Sequence, residues 1–376
     1  MKKLLVISSA PLIKIENDYF AYSPYEKEMQ IWARHAKAIA FCCPIWDESR
    51  GLLNTPISFK IDTIIPLKEF DIKSISSLFK SIYFSILNCF IIFKAIKQAD
   101  HIHLRCPGNI GLLAAIVQIF YPKKIKTAKY AGNWDSKSKQ PWSYRLQKWI
   151  LSNTFLTKNM QVLVYGKWEN QSKNIKPFFT ATYSKSEIQN SEFRIQKLAF
   201  KEEVKFLFVG TLSPGKQPLY VLELINQLVK KGYNATVNFY GEGNQRTALE
   251  EYIHTNNLEN RAVLKGNQTK DEVEKAYKNS HFLMLPSKSE GWPKVIAEAM
   301  FWNCLPIATK ISCVPYMLDY GHRGILLEEN LDKDVLQIQN ILKDENKFQT
   351  MCQKAQVWSR EYTLEFFEAE IKKLLL

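Results

Sequence analysis

At 376 residues the chain is long enough for two domains of ordinary size, and its 46% hydrophobic and 23% charged residues exclude a disordered or fibrous protein. Lys and Arg number 51 against 37 Asp and Glu, a formal net charge of +14. That excess asks for an anionic partner: nucleic acid, an anionic membrane face, or a phosphorylated substrate.

Met1-Lys2-Lys3-Leu4-Leu5-Val6-Ile7 has the look of a signal peptide, but the apolar run breaks at Ser8, Ser9 and Pro11. Lys14, Glu16 and Asp18 follow at once, so residues 4–8 read as a buried first strand. Residues 24–38 read as a helix with Met29, Trp32, Ala33 and Ala36 on one face. Strands are expected at 39–43 and 63–66, a long helix at 74–99, a strand at 101–104, a helix at 110–120, and strands at 125–130 and 160–164. Two stretches are apolar enough to test as membrane spans: 13 uncharged residues at 81–93 and 17 at 106–122. Both fall short of the roughly 20 residues a span needs, and both read as buried or half-buried helices.

A charged connector at 197–205 precedes a second round of the same rhythm. Strands are expected at 206–209, 236–240, 262–265 and 282–285, and helices at 218–231, 247–254, 270–278 and 295–302. The β-α-β alternation implies an α/β chain with two Rossmann-like, doubly wound domains, divided at 1–195 and 196–376, the last helix packing back on the first domain. A ligand in such a chain is expected at the strand C-terminal ends, in a cleft between the domains. The seven cysteines lack Cys-x-x-Cys spacing and read as buried, reduced thiols of a cytosolic protein.

The most informative run is Leu285-Pro286-Ser287-Lys288-Ser289-Glu290-Gly291-Trp292-Pro293-Lys294-Val295-Ile296-Ala297-Glu298-Ala299-Met300. A strand ends at Leu285, Gly291 permits a tight turn, and Pro293 suits the first turn of the next helix. Backbone N–H groups near Trp292, Lys294 and Val295, with the helix dipole, make an anion site. Carboxylates at Glu290 and Glu298 beside it suit a ligand with hydroxyls at both ends and phosphate between them, which describes a nucleotide-sugar. Taken singly, Glu290 is equally a solvated loop residue and Glu298 an i,i+4 partner of Lys294.

The run resembles the Glu-x7-Glu signature, with its following Glu-Ala-Met, of retaining GT-B glycosyltransferases of family 4 (glycosyl transferases group 1). The resemblance implies a GT-B fold and puts donor sugar hydroxyls at Glu290 and the nucleotide ribose at Glu298. Gly210-Thr211-Leu212-Ser213-Pro214-Gly215-Lys216-Gln217 is similar to the family loop that grips the donor diphosphate. Lys216 matches, Thr211 stands where an Arg is usual, and the Thr211 or Ser213 hydroxyls or an Arg from elsewhere are left to compensate. Gly241 in Phe239-Tyr240-Gly241-Glu242-Gly243 resembles the glycine turn of the nucleotide domain, and Lys265-Gly266 the segment near the base. Leu305-Pro306-Ile307-Ala308-Thr309 and Gly321-His322-Arg323-Gly324 are assigned structural roles. On the acceptor side the resemblance is in outline: Arg105, Gly108 and Asn109 after one strand, and Gly132, Asn133 and Trp134 after the next, where many relatives carry a His and this chain has none. Arg105 and Asn109 read equally as surface and turn residues.

Residues 1–195 carry 28 Lys and Arg against 14 Asp and Glu, while residues 196–376 carry 23 of each, so the whole excess lies in the expected acceptor half. Six of the nine tryptophans lie there too, and basic residues interleaved with aromatics suit an anionic membrane face or a lipid-linked glycan acceptor. No nucleic-acid-binding motif accompanies the charge, so nucleic acid is not an expected partner. Asp332-Lys333-Asp334 reads as helix-capping carboxylates, and neither a metal nor another cofactor is expected. The resemblance thus implies sugar transfer with retention, from a nucleotide diphosphate-sugar to a glycan in cell-surface polysaccharide assembly, by a cytoplasmic enzyme peripheral on the inner membrane face. Glu290 and Lys216 would carry it. Two alternatives stay open: a GT-B-fold sugar-nucleotide epimerase, and a non-catalytic nucleotide-sugar-binding partner of another transferase.

Overall fold

A strand such as Phe282–Leu285, with all four residues buried, has no wet face. Runs of this kind form parallel sheets covered by helices on both sides. The computed structural model describes residues 2–70, 75–191, 200 and 203–375. It contains two such sheets, one in each of two units: Met1–Phe179 with Phe367–Leu376, and Thr180–Phe366.

The first unit is built on a seven-stranded sheet in the spatial order Ile175–Phe178, Met160–Tyr165, Ile125–Tyr130, His101–Cys106, Lys3–Ile7, Ala38–Cys43 and Thr63–Pro66. All its pairings are parallel. The strand order reverses between Lys3–Ile7 and His101–Cys106, the doubly wound pattern. Leu5, Ile7, Ile102, Leu104, Ala128 and Val162 meet Ile92 and Ile96 of the helix Ile75–Gln98 and Ala114 of the helix Asn109–Val117 in its core. A second, four-stranded sheet pairs Leu12–Ile15, Asp18–Tyr22, Asn54–Pro56 and Ile45–Trp46. No element is expected from the sequence at these stretches.

The second unit has a six-stranded parallel sheet ordered Ala262–Gly266, Ala235–Tyr240, Val204–Val209, Phe282–Leu285, Leu305–Thr309 and Ile325–Leu327. The reversal falls between Val204–Val209 and Phe282–Leu285. Phe206, Phe208, Phe239, Phe282 and Met284 pack with Val221, Leu224, Ile225 and Leu228 of the helix Pro218–Lys230.

Two expectations are corrected, the domain boundary and the capping role of Asp334. The boundary expected at 195/196 lies outside the described residues, and the units divide instead between Phe179 and Thr180. The cause is that Thr182 hydrogen-bonds Glu298 (3.0 Å) and Tyr183 packs on Phe301 and Trp302. At the other end, Phe367 packs on Phe178 and Phe179, and Glu368 meets Arg34 and His35. The start expected for the long helix, Ser74, is outside the described residues. That helix is buried only on its inner side; Phe79, Ile82, Tyr83, Ile86, Phe90 and Phe93 are exposed. By length and composition alone its stretch Phe79–Gln98 could cross a membrane. Finally, Asp334 is not a cap. Asn330 caps the helix Leu331–Leu342 by accepting from the Lys333 N–H, while the buried Asp334 accepts from the Tyr220 hydroxyl (2.6 Å) and the Glu328 N–H (2.9 Å).

Candidate functional site

Open α/β sheets bind ligands beyond the strand C-terminal ends where the strand order reverses. In the second unit that point lies between the loops at 210–217 and 286–293, which follow the two central strands Val204–Val209 and Phe282–Leu285. The loops are tied together. The Lys288 N–H donates to the Gly215 carbonyl (2.9 Å), and the Gln217 side-chain amide donates to the Pro286 carbonyl (2.6 Å) and to Glu329 (2.7 Å). Gln217, left-handed at φ 51° immediately before the helix, had no sequence signal beyond its place after Lys216.

Across this junction the Lys216 ammonium donates to the Glu290 carboxylate. The Glu290 side chain is 9% exposed and that of Lys216 30%, so the pair borders solvent on the lysine side. A cation and an acceptor-only group thus stand side by side at the mouth of the sheet, held by two loops that are braced on each other.

A third loop backs the first. The Gly210 N–H donates to the Tyr240 carbonyl, the Leu212 N–H to the Glu242 carbonyl, and the Gly241 N–H to the Gly266 carbonyl, each at 2.9 Å. A Cβ on Gly241 (φ +137°) would stand 2.0 Å from the Gly210 carbonyl oxygen, and one on Gly243 2.3 Å from that of Leu212. These glycines are required because backbone lies against backbone. Gly266 and the exposed Lys265 end the neighbouring strand, and Thr211 and Ser213 lie on the first loop beside Lys216. Arg246, which the sequence reading did not single out, follows the glycine turn and pairs with Glu242 (2.5 Å) and Glu250 (2.9 Å).

The helix expected over 295–302 runs over Lys294–Phe301, with Pro293 at the capping position and no side-chain cap. Its N-terminus, carrying Lys294 and Val295, closes the loop that holds Glu290 and Gly291. Glu298, on the same helix, accepts from the Thr182 hydroxyl (3.0 Å) and the buried Tyr277 hydroxyl (3.2 Å). Burial first, then the Glu298 charge, drives the Tyr277 phenol far above its usual range, so it stays a donor. Neither partner of Glu298 was foreseen. Trp292 is 8% exposed, and its ring packs against Trp358 and Tyr362 at 6.2 and 6.0 Å. Its ring is therefore structural, which leaves only its backbone for a ligand.

In the first unit, the residues expected on the acceptor side lie at or just beyond the C-terminal ends of two neighbouring strands, with Arg105 inside His101–Cys106. Gly108 packs on the first-strand loop, where a Cβ would meet the Ser9 side chain at 2.4 Å. Asn109 opens the helix Asn109–Val117 and donates to the Phe70 carbonyl (3.2 Å). Gly132 lies on Pro107, and Asn133 accepts from the Asp135 N–H (2.9 Å) in a turn. Two of these residues prove inward-facing. Arg105 pairs with the mostly buried Glu28 (2.5 Å), which also binds Lys129 (2.9 Å). Burial alone would raise the Glu28 carboxyl, but Arg105 and Lys129 hold it down at about 2. Trp134 is 4% exposed, donates to Gln171 (3.0 Å) and packs edge-on against Tyr130. A hollow of about 470 Å³ in this unit, beside Arg34, Ala38 and Asp62, sits at the opposite, N-terminal ends of the strands, where no expected site residue lies. All seven cysteines are free, and burial raises the thiols of Cys43, Cys106 and Cys313 to about 12, which suits inert structural thiols. Among the described residues no group of three or more His, Cys, Asp or Glu side chains could hold a metal ion.

Residues 189–358 match the family described as glycosyl transferases group 1. An uncharacterized glycosyltransferase of Methanocaldococcus jannaschii is 26% identical over 169 residues, 45% of this chain and 46% of its own length. The capsular polysaccharide biosynthesis glycosyltransferase CapH of Staphylococcus aureus is 30% identical over 133 residues, 34% of this chain and 36% of its own. The aligned stretches thus span about half or less of the curated relatives. Among solved structures, Anabaena HepE, crystallised with UDP and glucose, aligns over 99% of this chain and 97% of its own with a TM-score of 0.66 and 13% identity. The chain has the GT-B fold of two Rossmann-like α/β domains, and within it residues 189–358 carry the match to glycosyl transferases group 1.

Proposed function

We propose that this chain is a glycosyltransferase that moves a sugar from a nucleotide diphosphate-sugar to a glycan acceptor. The observation that carries the reading is the Lys216–Glu290 pair at the reversal point of the second sheet, beside a helix N-terminus without a side-chain cap. That arrangement has what such a donor needs: positive charge for the diphosphate and a carboxylate to accept hydrogen bonds from sugar hydroxyls. Glu298, held by Thr182 and Tyr277, is left to bind the ribose. The match of residues 189–358 and the UDP and glucose bound in the structurally similar HepE support the same assignment.

In the reaction we propose, the bond between the anomeric carbon and the diphosphate oxygen breaks. The acceptor hydroxyl oxygen bonds to that carbon on the same face, and its proton passes to the departing diphosphate. Retention follows, and no enzyme nucleophile is required. Lys216 and the helix start near Val295 stabilise the charge growing on the diphosphate, and Glu290 fixes the sugar. Glu290 neutralises Lys216 in the unliganded protein, so donor binding exchanges one anionic partner of the lysine for another. No metal is assigned a part. The acceptor is a lipid-linked glycan of a cell-surface polysaccharide, met at the cytoplasmic face of the membrane. The basic first half and the similarity to the capsular enzyme CapH support this part of the proposal.

The test is a nucleotide-release screen across UDP-, GDP- and ADP-sugars, with Lys216→Ala and Glu290→Gln alongside. The proposal expects one donor to be turned over and both variants to lose that turnover. Variants that bind and turn over donor like the parent chain would overturn it.

A further inference from the structure

The helix Ile75–Gln98 has two opposite faces. Its inner face is part of the first unit's core. Ile92 and Ile96 are fully buried, and Asn88 accepts from the Lys68 N–H (3.0 Å) and donates to the Lys68 carbonyl (2.8 Å). Its outer face shows Phe79 (76% exposed), Ile82, Tyr83, Ile86 (66%), Phe90 and Phe93. At 3.6 residues per turn those six positions fall within one stripe about 100° wide. Phe120, 69% exposed, continues the stripe, its ring centroid 6.4 Å from that of Phe93.

Exposed apolar side chains in such a row mark a surface that something covers. Charge says what. The helix carries no Asp or Glu. Lys80 and Lys94 run along one edge of the stripe, Lys97 closes it, and Lys123 stands just beyond Phe120, all exposed. Lys94 lies over the Phe90 ring at 4.2 Å, which keeps its charge at the edge of the apolar band. A second copy of this chain would bring a second row of lysines against the first. An anionic bilayer supplies the opposite charge and an apolar interior together. The helix cannot cross that bilayer while its inner face stays in the core, so it lies along the surface, about 36 Å of it at 1.5 Å per residue.

We infer that the outer face of Ile75–Gln98, with Phe120, is an in-plane docking surface for an anionic lipid bilayer. The apolar stripe enters the headgroup boundary, and Lys80, Lys94, Lys97 and Lys123 contact the headgroups. This gives the membrane element of the proposed function a place on the molecule, but it does not depend on any step of sugar transfer.

The test is sedimentation of the full chain with phosphatidylcholine vesicles that either contain or lack phosphatidylglycerol, at low and high salt. The parent chain is expected to pellet with the anionic vesicles, at least roughly tenfold more than with the neutral ones at low salt. An Ile82→Ser, Ile86→Ser, Phe90→Ser variant should lose binding at both salt concentrations. A Lys80→Gln, Lys94→Gln variant should bind weakly and lose most of the salt dependence. Both variants should keep the parent's melting temperature and nucleotide affinity, because these side chains face outward. Binding of the triple variant equal to the parent, or no pelleting of the parent, overturns the inference. So does a parent dimer in sedimentation equilibrium that the triple variant turns into a monomer. Loss of turnover in Lys216→Ala leaves these readouts untouched, so failure of the docking surface and failure of the transferase reading are separable.

Discussion

Lys216 and Glu290 are 74 residues apart in the chain, yet their side chains meet where the two central strands of the second sheet end. The pair meets solvent only on the lysine side, so removing the lysine leaves a carboxylate that is 9% exposed without its cation. Lys216→Ala is expected to lower the melting temperature modestly while lowering kcat/KM roughly a hundredfold or more, the scale of losing one electrostatic stabiliser of a transition state. Glu290→Gln should also retain the fold and lose turnover. Calorimetry run beside steady-state kinetics checks both. A large fall in melting temperature with turnover per folded molecule preserved would make the pair structural.

Glu298 is held by two hydroxyls, and only one of them is deeply buried. Tyr277→Phe removes that hydrogen bond and leaves ring packing in place. The loss to a charged acceptor is about 1.5–3 kcal/mol. If Glu298 holds the donor's ribose, the variant loosens the carboxylate without touching the reacting carbon, so KM for the donor should rise several-fold while kcat stays near the parent value. A fall in kcat with KM unchanged would argue that Glu298 acts on the reacting end.

The glycine turn allows a sharp comparison. Alanine at 241 would put a methyl group 2.0 Å from the Gly210 carbonyl oxygen, at a φ of +137° that side chains rarely adopt. The first and third loops must then separate, so Gly241→Ala should lose several degrees of melting temperature and most nucleotide affinity. Gly215 has nothing within 4 Å of its would-be Cβ and no positive φ. Gly215→Ala, on the first loop, should be neutral, or stabilising by about 0.4–1 kcal/mol through the unfolded chain. Thermal shift with and without UDP separates the two.

What the sequence made legible follows from range. Buried parallel strands are short unbroken apolar runs, so Phe282–Leu285 could be placed to the residue. Pro218 and Lys270 marked helix starts. The small sheet was missed because Lys14, Glu16 and Asp18 interrupt its apolar residues; they occupy solvent-facing strand and turn positions, and Glu16 turns at φ 54°. The motif residues Glu290 and Glu298 were legible as types, but their partners were not. Lys216, Thr182 and Tyr277 reach them from distant positions or through folding of another element. Arg105 and Trp134 show the converse limit. A polar or aromatic residue at a strand's end reads as site-facing, and only tertiary structure reveals that Glu28 and Gln171 turn them inward.

The first unit also carries an acid-sensitive element that should set the chain's low-pH limit. His101 and His103 are fully buried and share the Thr127 hydroxyl at 3.0 and 2.8 Å, with His103 packed on Trp32 at 4.1 Å. Burial foremost, helped by Lys2, lowers His101 to about 4. Burial, then Arg105, lowers His103 well below its usual value, with Glu28 opposing. Their folded pKa values lie below the unfolded value near 6.5, so the unfolded chain binds more protons and stability falls as pH drops from about 6.5 toward 4. With two sites the limiting slope is about 2.7 kcal/mol per pH unit. Glu28 adds a later loss. Its folded value of about 2 is depressed, so the stability it provides is present above about 4.5 and disappears as pH falls toward 2. Urea unfolding followed by tryptophan fluorescence, to which the first unit contributes six of nine tryptophans, reports this region. A His101→Asn, His103→Asn variant should flatten the pH 6.5–4 limb and leave the Glu28 limb below it in place. An unchanged upper limb in that variant would show that other groups set the acid sensitivity.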